Sequence, residues 1–141
     1  MPEDAIRQLR AEAAALPPSF REMIDLTDSP FIQVVFDLEV PRMAFGQICL
    51  IGDAAFTARP HAAAGTAKAA EDGWQLGEAM KAAKGDVLQA LRRWEPGQLA
   101  LGQHLVGRSR EAGSRLQTGR WRAGEPLSFG LYEAGDSSFR E

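Results

Sequence analysis

The sequence has little of what marks secreted, membrane-embedded or nucleic-acid-binding proteins. A single cysteine, Cys49, excludes an internal disulfide framework. We find no long apolar run and no basic leader followed by an apolar stretch, so we expect a cytoplasmic protein with no membrane partner. The net charge is only -3, with both signs interspersed, and no nucleic-acid partner is expected. The small basic patch over residues 115–122 is interpreted as solvated surface.

What the sequence does have is the composition of one ordinary globular domain. It contains 141 residues, of which 45% are hydrophobic and 25% charged, which is enough to build a core. We find no internal repeat and no low-complexity tract, and we assign no metal site.

Apolar spacing and helix-breaking residues predict four helical segments. They cover residues 2–16, 19–26, 65–83 and 86–117. The last of them is expected to kink or restart at Pro96, which has no N–H group to donate to the preceding turn. Residues 118–141 have no period and predict an extended arm.

Only two strands are predicted, and they leave a structural difficulty. Residues 31–40 alternate, which indicates a strand with one buried face made of Ile32, Val34, Phe36 and Leu38. The run "QICLI", residues 47–51, is apolar on both sides, which is typical of an interior strand. An interior strand needs neighbouring strands and covering layers. The sequence therefore predicts an incomplete sheet.

Glycines inside the third predicted helix raise a related question. Gly73 and Gly77 follow Ala69 at steps of four, and each costs roughly 1 kcal/mol relative to alanine. Such a cost usually means that another backbone comes close. The alternative is a glycine-rich helix that is tolerated at the surface.

The stretch "IGDAAFTARPHAAAGTAKAAEDG", residues 51–73, carries the strongest chemical signal. Asp53 follows a predicted strand, at the end where ligands of open α/β sheets bind, and its carboxylate can accept hydrogen bonds from a sugar or ribityl chain. Gly65 precedes a helix whose first amides could stabilise negative charge on a bound ring. The alternative is that Asp53 is a simple turn or cap residue.

The segment "RMAFGQICLIGDAAFTARPHAAAGTAKAAEDGWQLGEAM", residues 42–80, resembles the second flavin-binding motif of the single-component FAD-dependent aromatic hydroxylases, the p-hydroxybenzoate hydroxylase-like family. The likeness extends from "DSPFIQVVFD" to "SRLQTG" and "LSFGL", roughly residues 28–131. It implies an α/β fold: this chain would be the C-terminal fragment of a FAD/NAD(P)-binding, Rossmann-like flavoprotein monooxygenase, mostly helical with about two strands of an incomplete sheet. The expected parts are 1–50 from the substrate domain and connecting elements, 51–117 with the flavin motif and helices, and 118–141 as the arm.

The resemblance also implies a set of cofactor-binding residues. Asp53 matches the aspartate that binds the ribityl chain of FAD, and Gly52 matches the close backbone approach beside it. Pro60 matches the proline beside the flavin ring. The loop and helix start whose amides face the pyrimidine edge of the flavin correspond to Ala64, Gly65 and Thr66.

Other positions of the motif leave alternatives open. His61 falls near the expected substrate pocket, where it would be either a substrate contact or a structural histidine. Phe56 replaces a histidine common in the family, and Thr66-Ala67 replaces Gly-x-Asn in many members. Glu71 and Asp72 are adjacent on a helix and point in different directions, so we expect a capping and surface pair rather than a catalytic pair of carboxylates.

The implied activity is that of an oxidoreductase, in which FAD takes electrons from NAD(P)H and uses O2 to hydroxylate an aromatic or dihydroxypyridine ring. No Gly-x-Gly-x-x-Gly follows a strand in this sequence, so the adenosine diphosphate half of FAD has no evident site. We therefore expect a missing N-terminal FAD-binding portion as partner, or a homo-oligomer, with little activity without it. The alternatives are a non-catalytic, self-associating remnant and a binding module.

Overall fold

The computed structural model describes residues 2–120 and 130, which divide into two compact units on either side of the Val34–Val35 bond. The first unit contains helix α1 (Glu3–Ala13) and helix α2 (Pro18–Asp25), close to their predicted positions. Two acidic residues in the first turn of α1 favour its start, because a helix N-terminus carries partial positive charge. Pro18 opens α2, where its missing N–H group costs nothing.

The second unit begins with four short strands in two antiparallel pairs. Strand β1 (Leu38–Glu39) pairs with β4 (Phe56–Thr57), and β2 (Ala44–Phe45) pairs with β3 (Ile48–Cys49). Gly46 makes the tight turn between β2 and β3 with a φ of 65°, a conformation that favours glycine. Two 3-10 turns, Gly52–Ala54 and Pro60–Ala62, flank β4.

The predicted strands are largely wrong in extent and burial. Of residues 31–40, only Leu38 and Glu39 lie in a strand, and the expected buried face is exposed. Ile32, for example, is 64% exposed. The predicted interior strand over 47–51 is one arm of a small hairpin, and its Ile48 is 69% exposed. The physical reason is that no layer among the described residues covers these segments, and a strand is buried only by its neighbours.

Two long helices form the body of the second unit. Helix α3 (Gly65–Ala82) and helix α4 (Val87–Gln117) pack against each other and match the predicted segments. Asp86 caps α4 by accepting a hydrogen bond of 3.0 Å from the Gln89 N–H group. Helix α4 continues through Pro96, so the restart considered at that residue does not occur.

The core lies where the strands and turns meet these helices. Its larger cluster contains the buried residues Met43, Ala44, Ala55, Phe56, Leu91, Trp94 and Val106. A second cluster, Ala62, Ala64, Leu101 and Leu105, lies under the Pro60–Ala62 turn. Both clusters hold the loops of residues 51–64 against α4. None of the helices in the described part of the chain is long and apolar enough to span a membrane.

The exposed and buried faces of α3 differ from prediction. Lys68, expected on the polar face, and Asp72, expected at the surface, are 1% and 0% exposed. Around Gly73 and Gly77 there is open space instead, with no described atom within 4 Å of an added Cβ. No second backbone therefore approaches these glycines within the described residues.

The predicted arm over 118–141 lies mostly outside the described residues. Of the residues after Arg120, only Gly130 is described, and its N–H group donates to the Ala62 carbonyl at 2.8 Å. The Arg108 guanidinium donates to the Gly130 carbonyl.

Candidate functional site

The six residues predicted to contact a flavin line one cleft of about 810 Å³ in the second unit. Gly52 and Asp53 come from the turn before β4, Pro60 from the turn after it, and the other three from the start of α3. The six are Gly52, Asp53, Pro60, Ala64, Gly65 and Thr66. The cleft therefore brings together residues from two consecutive turns and the start of the helix that follows them.

Gly52 is required by both backbone conformation and space. Its φ is 55°, in the left-handed region that favours glycine. A Cβ at this position would lie 3.0 Å from the Cβ of Ala69 on α3, tighter than side chains normally pack. The turn therefore lies directly on the helix, and any larger residue would push the two apart.

Asp53 presents its carboxylate to the cleft. The side chain is exposed, and the residue is held by its backbone carbonyl, which accepts a hydrogen bond of 2.9 Å from the Thr57 hydroxyl. Its Oδ1 atom lies 4.0 Å from where a Cβ on Gly65 would be. The carboxylate thus faces the first turn of α3 and is available as an acceptor of hydrogen bonds.

The start of α3 supplies donors beside that acceptor. Its N-cap is Ala64, which has no side-chain group to cap the helix, and the first main-chain bond to it comes from the Lys68 N–H group. The amides of the first turn therefore have no acceptor within the helix, and the helix dipole adds partial positive charge there. A ligand with hydroxyl groups next to an electron-rich polar edge would match this combination.

An ion cluster fixes the Pro60 side of the cleft. Asp37 accepts hydrogen bonds from the Arg59 Nε at 3.0 Å and from the Arg110 Nε at 2.9 Å, while Arg110 also pairs with Glu39. Burial alone would raise the pKa of the Asp37 carboxyl, but the hydrogen bonds and charges of the two arginines outweigh it and lower the pKa. Sequence reasoning missed this cluster, since 73 residues separate Asp37 from Arg110 and no local pattern joins them.

His61 faces α4 and is not among the residues that line the cleft. Its ring packs on Gly113 so closely that an added Cβ there would lie 2.7 Å from Cε1. The Nδ1 atom is buried and has no hydrogen-bond partner among the described residues. A contact between His61 and a substrate stays a prediction.

A buried ion pair lies beneath the Gly52 turn. The Asp72 carboxylate accepts a hydrogen bond of 2.8 Å from the Gly52 N–H group and another from the Lys68 ammonium. The Trp94 indole donates to the Asp72 carbonyl at 3.0 Å. Burial lowers the pKa of Lys68 more than its hydrogen bond with Asp72 raises it.

The expectation of a surface pair was thus wrong for Asp72. Its neighbour Glu71 is half-buried and accepts a hydrogen bond from Gln75 on the same helix. The spacing of four between Lys68 and Asp72 was the available signal, because residues so spaced are neighbours on one helix face.

Comparison with known proteins gives close relatives. No family model matches the chain. The chain is 39% identical over 135 residues to 2,6-dihydroxypyridine 3-monooxygenase of Paenarthrobacter nicotinovorans, which covers 94% of this chain and 34% of that protein. It is 33% identical over 97 residues to 3-hydroxybenzoate 6-hydroxylase of Polaromonas naphthalenivorans (strain CJ2), covering 68% of this chain and 24% of that one.

A solved structure agrees with these matches. The structure of 2,6-dihydroxypyridine-3-hydroxylase from Arthrobacter nicotinovorans superposes with a TM-score of 0.80 and 38% identity, over 97% of this chain and 35% of that one. The resemblance to aromatic hydroxylases is thereby confirmed. The chain is a homologue of 2,6-dihydroxypyridine 3-monooxygenase and spans about one third of the length of that relative.

Proposed function

We propose that this chain supplies the flavin-ring side of the active site in an FAD-dependent monooxygenase that hydroxylates an aromatic or dihydroxypyridine ring with NAD(P)H and O2. The observation that carries the proposal is the single cleft that gathers all six predicted cofactor residues. The names of the relatives, a monooxygenase and a hydroxylase, support the reaction class.

The chemistry of the cleft fits the flavin half of FAD. The Asp53 carboxylate would accept hydrogen bonds from ribityl hydroxyls, while Gly52, which has no Cβ to push the turn away from Ala69, keeps that carboxylate close to α3. The amides at the start of α3 would face the electron-rich edge of the ring. Bound FAD would supply the redox chemistry, and the protein would contribute position and electrostatics.

The remainder of the active site would come from a second polypeptide portion. The chain contains no Gly-x-Gly-x-x-Gly after a strand, and it spans about one third of the length of 2,6-dihydroxypyridine 3-monooxygenase. We infer that the partner is the portion of such a relative that this chain does not match. In that case the chain alone retains little or no FAD and does not turn over substrate.

Co-expression tests the proposal. The chain is produced with the unmatched portion of the Paenarthrobacter enzyme, and co-purified flavin is read from its visible absorbance. NAD(P)H consumption and hydroxylated product are then measured with 2,6-dihydroxypyridine. We expect flavin and product formation in the complex and in neither portion alone. A stable complex that binds no flavin would reject the proposal.

A second candidate function is self-association without catalysis. Exposed apolar side chains favour it, since Phe31, Ile32 and Val34 are each more than 60% exposed. Sedimentation distinguishes the two: a flavin-free dimer that persists when the second portion is added would favour this candidate.

A further inference from the structure

We propose that Asp72, balanced by Lys68, is a positioning residue that fixes the Gly52–Asp53 turn and thereby sets where the Asp53 carboxylate stands in the cleft. The inference deepens the proposed function and rests on it for the identity of the ligand. Neither Asp72 nor Lys68 lines the cleft, so both would act through the turn.

The contacts of Asp72 hold it on three sides. One carboxylate oxygen accepts the Gly52 N–H at 2.8 Å, and the other accepts a hydrogen bond from the Lys68 ammonium. Its carbonyl accepts the Trp94 indole N–H at 3.0 Å, which ties this point of α3 to α4. A carboxylate held in this way cannot move without breaking buried hydrogen bonds, each of which is costly to leave unmade.

The turn needs an acceptor from outside its own sequence. Ile51 is extended, with φ -133° and ψ 161°, and Gly52 changes to the left-handed region. The Gly52 N–H therefore points into α3, and Asp72 provides the acceptor 20 residues later. An unpaired buried charge would be strongly destabilising, and Lys68, one helical turn before Asp72, balances it.

In this arrangement, α3 positions both the amide donors of the cleft and the turn that carries the Asp53 acceptor. Its first turn presents the amides, while Ala69 and Asp72, on the following turns, contact Gly52 and hold the residue before Asp53. Because a helix is rigid over these few residues, the distance between the Asp53 acceptor and the amide donors is set by one element. If the Lys68–Asp72 pair served stability alone, its loss would not change the distance between the Asp53 carboxylate and the amides of α3.

Two double variants separate positioning from stability. Lys68→Met with Asp72→Asn removes both charges and keeps an acceptor for the Gly52 N–H. Lys68→Met with Asp72→Leu removes both charges and the acceptor, while the side-chain size stays similar. Neither variant retains an unpaired buried charge, so we expect both to fold, the Leu variant being the less stable because its Gly52 N–H has lost its acceptor.

Flavin binding is then measured in the complex with the unmatched portion of the Paenarthrobacter enzyme. We expect the Leu variant to bind FAD about tenfold more weakly than the Asn variant, because only the Asn variant holds the turn. As a matched control, Lys81→Met with Glu78→Gln removes an exposed ion pair from the same helix and should bind like the parent. Equal FAD affinity of the Asn and Leu variants would overturn the proposal.

Amide exchange, measured without flavin, distinguishes a failure of the positioning role of Asp72 from a failure of the proposed function. In the ¹⁵N-labelled full chain, we expect the Gly52 amide of the Leu variant to exchange faster with solvent than that of the Asn variant. If the parent complex binds no flavin but this difference is seen, the proposed function fails while the contact stands. Equal exchange in both variants would contradict the positioning role. Should the Leu variant not fold, Lys68→Met with Asp72→Ala is judged by the same criteria.

Discussion

Asp53, for which we propose a chemical role in the cleft, contributes little to the fold. Its side chain is exposed, and its fold contact uses the backbone carbonyl, which any residue retains. We therefore expect Asp53→Ala to weaken FAD binding in the reconstituted complex about tenfold, while the free energy of unfolding of the chain changes by less than about 0.5 kcal/mol. Flavin titration and urea unfolding measure the two effects.

Asp28→Ala is the control for this prediction, since Asp28 is also an exposed aspartate and lies outside the cleft. It should leave both quantities unchanged. An Asp53→Ala variant that binds FAD like the parent would show that the carboxylate does not contact the cofactor.

The ionisation of Asp37 should make the free energy of unfolding depend on pH. Its folded pKa is lowered because Arg110 and Arg59 outweigh the opposing effect of burial. The ionised carboxylate therefore contributes stability that is present above the unfolded pKa of about 4 and is lost as pH falls through the lower folded pKa. Asp37→Asn should cost about 1 to 3 kcal/mol of unfolding free energy near pH 6.

The unfolding free energies of the parent and of Asp37→Asn should approach each other in acid. Urea unfolding at several pH values between 6 and 3 should show that the difference between parent and Asp37→Asn narrows below about pH 4. The exposed Glu78→Gln serves as a control with a small and uniform effect. A difference that stays constant across this range would mean that the charge of Asp37 does not stabilise the fold.

Among the elements, α4 depends on glycine at a defined contact. A Cβ at Gly102 would lie 2.3 Å from Cδ2 of the buried Phe56 ring. Gly102→Ala should therefore destabilise the chain by about 1 to 3 kcal/mol, because Phe56 has no room to move. Gly107→Ala on the same helix meets no described atom within 4 Å and should stabilise by up to about 1 kcal/mol. Thermal unfolding of both variants checks the contrast, and equal midpoints would contradict it.

The helices could be predicted from sequence and the strands could not. The Asp86 cap and the apolar spacing that set α3 and α4 are local signals, so they survive whatever surrounds the chain. The strand pattern over 31–40 is equally clear, but a strand forms only against partners, and among the described residues β1 pairs with the two residues of β4. Local alternation predicts what a segment would do in a sheet and says nothing of whether the sheet is present.

In the candidate site, too, one part could be predicted from sequence and another could not. The resemblance supplied the cleft residues, from Gly52 to Thr66, because the motif is contiguous. The supporting contacts, Asp72 to Gly52 and Arg110 to Asp37, join residues 20 and 73 positions apart. Such pairs follow from the packing of α3 and α4 against the loops, which no single segment encodes.

At the scale of the whole molecule, large apolar side chains lie exposed in both units, and we propose that some of them pack against a second polypeptide. Phe31 in the first unit and Ile48 and Trp74 in the second are all more than two thirds exposed. Large apolar side chains left open in this way often mark interaction sites. The homologous enzyme is about three times as long as this chain, and we propose that its unmatched portion is the polypeptide that covers these side chains.

The variant Gly77→Ala tests whether the second polypeptide portion covers α3. In the chain alone no described atom lies within 4 Å of an added Cβ, so Gly77→Ala should raise the free energy of unfolding by about 0.5 to 1 kcal/mol. If the backbone of the second portion packs there, the same methyl group weakens assembly of the complex. We expect both effects, measured by urea unfolding of the chain and by titration with the unmatched portion of the relative.

Gly97→Ala provides the comparison, because Gly97 also faces open space but lies on α4. It should stabilise the chain to a similar degree and leave assembly unchanged. Unchanged assembly for Gly77→Ala as well would mean that the glycines of α3 are merely tolerated at a free surface, since a packed backbone has no space for the added methyl. The opposite sign of the two effects in one variant is therefore the signature of a helix shaped for a partner.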